Sequence, residues 1–223
     1  MIRFNNDYNH GAHNSIIQAL QGINENSYGG YGEDKWCQKG ADEIRKYLGD
    51  TDVDIHFMVG GTPANITVIT AALRPYESVI CAENGHINHH EAGSIEHTGH
   101  KILSVPAKEG KLTAEAIRQT ASHYYNHGEA EFLTAPKLVF LSSPSEYGTV
   151  YSKKELLEIR EVCNQYRMYM YIDGARLGYW LSCSESDVTL EDLAKIADVF
   201  YIGGTKCGAL FGEALVIVNK DLR

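Results

Sequence analysis

The chain has 223 residues, with 20 lysines and arginines against 29 aspartates and glutamates, a formal net charge of −9. That balance argues against a nucleic-acid or anionic-membrane partner, since both select basic surfaces. No apolar run is long enough for a membrane span, and the start, M-I-R-F-N-N-D, lacks a signal-peptide core.

Five scattered cysteines (Cys37, Cys81, Cys163, Cys183, Cys207) form no C-x-x-C pair, the pattern of reduced thiols in a cytoplasmic protein. Met1 to Tyr8 reads as a polar, irregular arm, and His13 to Leu20 as a weak helix starting at Asn14 or Ser15. Asn26 to Trp36, N-S-Y-G-G-Y-G-E-D-K-W, is a Gly/Tyr loop, either a functional loop or a plain connector. Asp34 is placed to cap a helix reaching to near Leu48, where Gly49-Asp50 ends it. Strands are then expected over Ile55–Val59, Ser78–Ala82, Lys101–Val105, Lys137–Leu141, Tyr169–Ile172, Val199–Ile202 and Glu213–Val218. Between them helices are expected over Thr62–Ala72, Glu91–His97, Thr113–Tyr125, Ser152–Tyr166 and Thr189–Ile196. Thr113 is a cap, and Ser152 with Glu155 forms a capping box. The alternation predicts an α/β domain with a mostly parallel sheet, and short all-apolar strands predict cover on both faces.

In such sheets ligands gather at the carboxyl ends of strands. After Ile55–Val59 comes G-G-T-P-A-N, Gly60 to Asn65. Thr62 is positioned as an N-cap and Pro63 as the first helical residue, so the turn is either an anion seat or a plain capped start. After Ser78–Ala82, His86, His89 and His90 crowd together, with His97 and His100 beyond. No H-E-x-x-H is present and no metal site is expected. One histidine at the strand end is read as functional and the others as solvated. After Tyr169–Ile172 comes D-G-A-R-L-G. An acid there needs a positive partner, which is either Arg176 or a ligand's protonated ring nitrogen. After Val199–Ile202 comes G-G-T-K, and Lys206 is either a Schiff-base nucleophile or a surface loop lysine.

A phosphate seat, an acid, an arginine, a histidine and a lysine thus all fall at strand ends. Pyridoxal phosphate needs such a set: an imine lysine, an anion cradle and an acid facing its pyridine nitrogen. Y-I-D-G-A-R-L-G followed by G-G-T-K resembles the fold-type I pyridoxal-phosphate enzymes, specifically the threonine aldolase and β-eliminating lyase group. G-G-T-P-A-N, H-I-N-H-H-E-A-G and Y-G-G-Y-G-E-D also resemble that group's phosphate loop, ring-stacking histidine segment and intersubunit loop.

The resemblance implies a three-layer α/β/α fold of the large-domain type. It implies that Lys206 forms the internal aldimine and Asp173 pairs with the pyridinium. His86 stacks on the ring and assists proton transfer; Gly61 and Thr62, helped by Thr205, hold the phosphate. Arg176 meets the phenolic oxygen or the substrate carboxylate. The implied reaction is cleavage of L-threonine or L-allo-threonine to glycine and acetaldehyde in a homodimer or homotetramer. Transamination, β-elimination and an inactive scaffold are the alternatives. The family's histidine after the fourth strand is replaced in S-S-P-S-E-Y-G by Glu146 and Tyr147, which leaves the base open; Asn6 replaces a serine. Residues 1–25 are expected to form an arm with a short helix and residues 26–223 the cofactor-binding domain. The family's smaller carboxyl-terminal domain is expected to be missing.

Overall fold

The computed structural model describes residues 3–49 and 51–223. Met1 and Ile2 of the expected arm, and Asp50 of the expected helix stop, lie outside the described residues. The chain opens with α1 (Asn14–Ile23) and α2 (Lys35–Arg45), followed by β1 (Asp54–Met58), α3 (Gly61–Ala72) and β2 (Glu77–Ala82). Two single turns, α4 (His86–His89) and α5 (Ser94–His97), lead to β3 (Lys101–Val105) and α6 (Ala114–Tyr125). Then come β4 (Ala135–Ser142), α7 (Lys153–Tyr166), β5 (Tyr169–Asp173), α8 (Leu177–Ser182), α9 (Leu190–Ile196), β6 (Val199–Gly203) and β7 (Glu213–Ile217).

Successive strand side chains point to opposite faces, and here both faces are apolar. On β4, Leu138 and Phe140 join the cluster with Ala64, Val68 and Ile69 of α3 and Ile87 and Ile95 of α4 and α5. Val139 and Leu141 join the opposite cluster with Ile117 of α6, Ile159 of α7, Trp180 of α8 and Leu193 of α9. The result is the expected helix–sheet–helix sandwich. The seven strands lie in the order β1-β7-β6-β5-β4-β2-β3. β3, β2, β4, β5 and β6 are parallel, while β7 is antiparallel to both β6 and β1. Six strands therefore point one way and β7 alone is reversed. The carboxyl ends of six strands and the amino end of β7 share one edge.

Asp34, Thr113 and the Ser152–Glu155 box cap their helices as the sequence predicts. Three local expectations are corrected. Gly60, not Thr62, is the N-cap of α3, and Thr62 and Pro63 lie inside its first turn. The start has no side-chain cap, and Gly61 there packs against Tyr201, whose hydroxyl would lie 2.8 Å from a Cβ at that position. The helix expected over Glu91–His97 is broken: Ala92 (φ 52°) and Gly93 (φ 75°) take left-handed backbone, which interrupts the helical ladder. Leu177–Ser182 is a helix that the sequence reading misses. Its six residues are too few to show a period, although Leu177 and Trp180, three apart, are both buried.

β5 and β6 meet closely at their carboxyl ends. A Cβ on Gly174 would stand 1.9 Å from the Tyr201 carbonyl oxygen, and one on Gly203 would stand 2.3 Å from the Ala175 carbonyl oxygen. Backbone cannot yield as a flexible side chain can. Gly174→Ala is expected to lose about 1–3 kcal/mol of stability in urea unfolding. Gly178→Ala, which faces the Cys207 Sγ at 3.3 Å, is expected to lose less. Equal losses would contradict this account of the junction.

Candidate active site

A cavity of about 280 Å³ opens at the shared edge, and Gly61, Thr62, His86, Asp173, Arg176, Thr205 and Lys206 all line it. The fold thus gathers the expected lysine, acid, arginine, histidine and phosphate-seat residues with Glu146, whereas Tyr147 and Asn6 are not among the lining residues. A roomier hollow of about 580 Å³, between β3 and α6, contains none of them.

No side chain caps α3, and its first turn, with Gly61 and Thr62, sits on the cavity wall. Pro63 has no N–H, so the Gly61 and Thr62 amides and the positive end of the helix dipole are what this turn offers an anion. The Thr205 hydroxyl donates to Glu213 Oε1 at 3.0 Å, so its proton is engaged within the protein.

Asp173 ends β5 and is 5 % exposed. Arg176 is not its hydrogen-bonding partner. The Tyr201 hydroxyl donates to Asp173 Oδ1, as does the Ala175 N–H at 3.0 Å, and Asn65 Nδ2 lies 3.4 Å from Oδ2. Burial, then the charge of Asp173, push the Tyr201 phenol well above its ordinary value, which keeps it a donor. Asn65 sits on the buried face of α3. Its Oδ1 accepts from the Tyr171 hydroxyl at 2.8 Å, and its Nδ2 donates to Glu91 Oε1 at 2.7 Å. Glu91 Oε1 also lies 2.8 Å from His86 Nδ1. The Glu91 hydrogen bond raises the His86 imidazole above its ordinary value against the opposing effect of burial, with Asp173 and Glu146 adding to the rise. Of the other histidines in this stretch, His89, His90 and His97 are exposed as expected, but His100 is buried.

Lys206 lies in a single 3₁₀ turn, Thr205–Cys207, directly after β6, and its side chain is 14 % exposed. That position is not a surface loop lysine's. The amino-terminal arm crosses over it: Lys206 Nζ is 4.0 Å from Asp7 Oδ1 and 5.9 Å from the centroid of the Tyr8 ring. Asp7 pairs with Arg176 through Nε, and through Nη2 at 3.2 Å. Partial burial works to raise the Asp7 carboxyl. The bond and charge of Arg176, with the charge of Lys206, outweigh it and hold the group below its usual range. Glu213, the first residue of β7, accepts from the Gly204 N–H at 2.9 Å and so braces the turn that carries Lys206. Burial pushes the Glu213 carboxyl up. Glu146 lines the cavity, and among the described residues it takes part in no side-chain hydrogen bond or ion pair.

Sequence reasoning missed Asp7, Asn65, Glu91, Tyr201 and Glu213. For Asn65 a signal existed: Val68 and Ile69, three and four residues on, mark its face of α3 as buried. For Asp7 there was none, because Arg176 is 169 residues away, and for Glu213 there was none, because its bonds to Gly204 and Thr205 depend on the reversal of β7 beside β6.

Residues 12–222 match the family model described as beta-eliminating lyase. The chain is 33 % identical over 214 residues to the low specificity L-threonine aldolase of Pseudomonas sp. (strain NCIMB 10558), covering 92 % of this chain and 58 % of that protein. It is 30 % identical over 164 residues to the low specificity L-threonine aldolase of Saccharomyces cerevisiae, covering 72 % of this chain and 41 % of the relative. Among solved structures, a Leishmania major threonine aldolase superposes with a TM-score of 0.93 at 43 % identity, over 98 % of this chain and 63 % of that one. Cystalysin from Treponema denticola, whose structure contains a pyridoxal 5'-phosphate cofactor, shares the fold at 16 % identity and a TM-score of 0.71, over 95 % of this chain and 54 % of its own. The chain therefore spans less than two thirds of the length of these relatives.

The His86–Glu91 pair has a pH signature. The folded imidazole lies above its ordinary value of 6.5, so its stabilisation is complete below that pH and disappears as pH rises through the elevated value. The stability gap between the native chain and His86→Gln, measured by thermal melts across the neutral range, is expected to narrow with rising pH. A gap independent of pH would contradict the pairing.

Proposed function

The chain belongs to the beta-eliminating lyase family, and on that footing we propose that it is the cofactor-binding part of a pyridoxal-phosphate lyase. The reaction is cleavage of the Cα–Cβ bond of L-threonine or L-allo-threonine to glycine and acetaldehyde. The observation that carries this reading is the convergence of a partly buried lysine amine, a buried carboxylate, an imidazole and an uncapped helix start on one cavity. That donor set fits pyridoxal phosphate, and the similarity to threonine aldolases supports the substrate.

In this reading Gly61 and Thr62 hold the phosphate through backbone amides, Asp173 meets the protonated pyridine nitrogen, and His86 covers the ring. Thr205 lines the seat, its hydroxyl held by Glu213. Bound there, the cofactor supplies a carbonyl for an amine and a cationic ring that holds the electrons of the broken bond. Lys206 supplies the amine on the protein side. Arg176 meets the phenolic oxygen or the substrate carboxylate when that anion takes the place of Asp7. Proton duties divide by environment. Glu91 strengthens the hold of His86 on a proton, which suits the imidazole to donate. Glu146, a cavity carboxylate with no partner among the described side chains, is suited to take the β-hydroxyl proton.

Residues 26–223 form the cofactor-binding domain in this reading, with residues 1–25 as its arm. The five cysteines are unpaired, which suits the cytoplasm. No helix among the described residues is long and apolar enough to cross a membrane. α1 buries none of its residues, Ile17 and Leu20 are exposed, and Tyr31 stands fully in solvent. A second copy of the chain covers this face, giving a homodimer or homotetramer whose mass light scattering would read. β-Elimination is the second reading, favoured by the family description. A keto acid and ammonia from serine, without glycine from threonine, would establish it.

The deciding experiment is the visible absorbance of the purified chain after pyridoxal phosphate is added and the excess removed. A band that borohydride fixes covalently at Lys206 is expected. Its absence from a folded sample overturns the cofactor reading. Lys206→Ala is expected to lose both the band and the cleavage of threonine, whereas a scaffold would lose nothing. Glu146→Gln is expected to keep the band and to lower kcat by about a hundredfold or more, the usual contribution of a general base.

A further inference from the structure

Behind the cavity wall lies a set of buried polar groups that reaches further than the His86–Glu91 pair, because Asn65 joins that pair to Asp173. The Glu91 side chain is completely buried, in a segment whose left-handed turn at Ala92 and Gly93 separates two short helices. Burying an acid is unfavourable unless donors meet it, and apolar residues could have filled the same space. The donors are present. Asn65 Nδ2 donates to Oε1 at 2.7 Å, and Ser94 Oγ donates to Oε2 at 2.8 Å. His86 Nδ1 stands 2.8 Å from Oε1. A carboxylate offers only acceptors, so the ring supplies the proton in that third contact. Nε2 is left as the ring nitrogen free for a ligand.

The path continues inward. The second N–H of Asn65 points to Asp173 Oδ2 at 3.4 Å, and its carbonyl is occupied by the Tyr171 hydroxyl at 2.8 Å. That last bond fixes the amide against rotation, because a flipped Asn65 would face the Tyr171 donor with an NH₂ group and both acids with an acceptor. One amide thus serves two acids that meet the ligand from different elements, Glu91 through His86 and Asp173 directly.

We propose that Glu91 and Asn65 are positioning residues that hold the imidazole of His86 and the carboxylate of Asp173 as one hydrogen-bonded unit. The proposal rests on the reading of His86 and Asp173 as cofactor contacts. Its test needs no cofactor, so the two can fail separately. The other titratable or charged groups near His86 are His90, whose ring centroid is 5.6 Å away, Asp173 and Glu146, with Arg176, Lys206, Glu213, Tyr8 and Tyr201 on the wall of the same cavity. The variants below leave these unchanged.

The experiment is a ¹⁵N and ¹H NMR titration of the histidines in the full chain without added cofactor, with His86 assigned by substitution. In the native chain, neutral His86 is expected to carry its proton on Nδ1. Glu91→Gln, close in shape, is expected to lower the His86 pKa, because the charged hydrogen-bond acceptor at Nδ1 is lost. Asn65→Ala, which has no hydrogen bond to the ring, is expected to raise it, because a donor dipole is removed from Oε1. An unmoved titration in folded Glu91→Gln overturns the role of Glu91, and one in folded Asn65→Ala overturns that of Asn65. Where a variant does not fold, the native tautomer decides: a proton on Nε2 overturns the proposal. A chain that binds pyridoxal phosphate but fails these tests loses only the positioning roles of Glu91 and Asn65. One that passes them but binds no pyridoxal phosphate loses only the cofactor reading.

Discussion

A carboxylate at the end of an apolar strand must be met by donors, and the way Asp173 is met organises this molecule. Its donors come from three places: the hydroxyl of Tyr201 on β6, the amide of Ala175 in the following turn and the side chain of Asn65 on α3. Each requires an element to stand at a definite height. β6 has to lie close beside β5, which the two glycines Gly174 and Gly203 permit. α3 has to begin tight against Tyr201, which Gly61 permits. The same requirements that satisfy one buried acid bring the uncapped start of α3 and the turn carrying Lys206 to the two sides of one cavity.

The remaining charges of the cavity are arranged around that anchor. Arg176 is released from Asp173 because other donors already satisfy the acid, and it pairs with Asp7 of the amino-terminal arm. The arm carboxylate therefore stands where an incoming anion would meet both Arg176 and Lys206. Glu213 arrives from the reversed strand and holds the backbone of Gly204 and the hydroxyl of Thr205. In this way the lysine turn is braced by a residue that is not itself at a strand's carboxyl end.

Membership of the beta-eliminating lyase family and the fold shared with the Leishmania major threonine aldolase agree with this arrangement. They also sharpen what is particular here. Glu146 occupies the turn after β4, where the sequence resemblance would place a histidine, and it lines the same cavity as His86. A carboxylate and an imidazole differ in which of them releases a proton more readily. The pairing of His86 with Glu91 strengthens the imidazole's hold on its proton.

By itself the sequence determined the α/β alternation, because apolar runs broken by Gly, Pro and polar caps are local signals. Ser152 with Glu155 and Asp34 needed only their own neighbours to cap a helix. Gly61, His86, Asp173, Arg176 and Lys206 were legible for a related reason: in a mostly parallel sheet, whatever follows a strand lies at one edge. The sequence could not decide which acid meets which base. Asp173 and Arg176 are three residues apart yet have separate partners, and Asp7 reaches Arg176 from 169 residues away. It could not place Glu213, since only the reversal of β7 brings a strand's first residue to that edge. Nor could it join Asn65 to Glu91 and Asp173. Those bonds exist because α3, the α4–α5 segment and the sheet close on each other, and a hydrogen bond depends on a distance that only the packed chain sets.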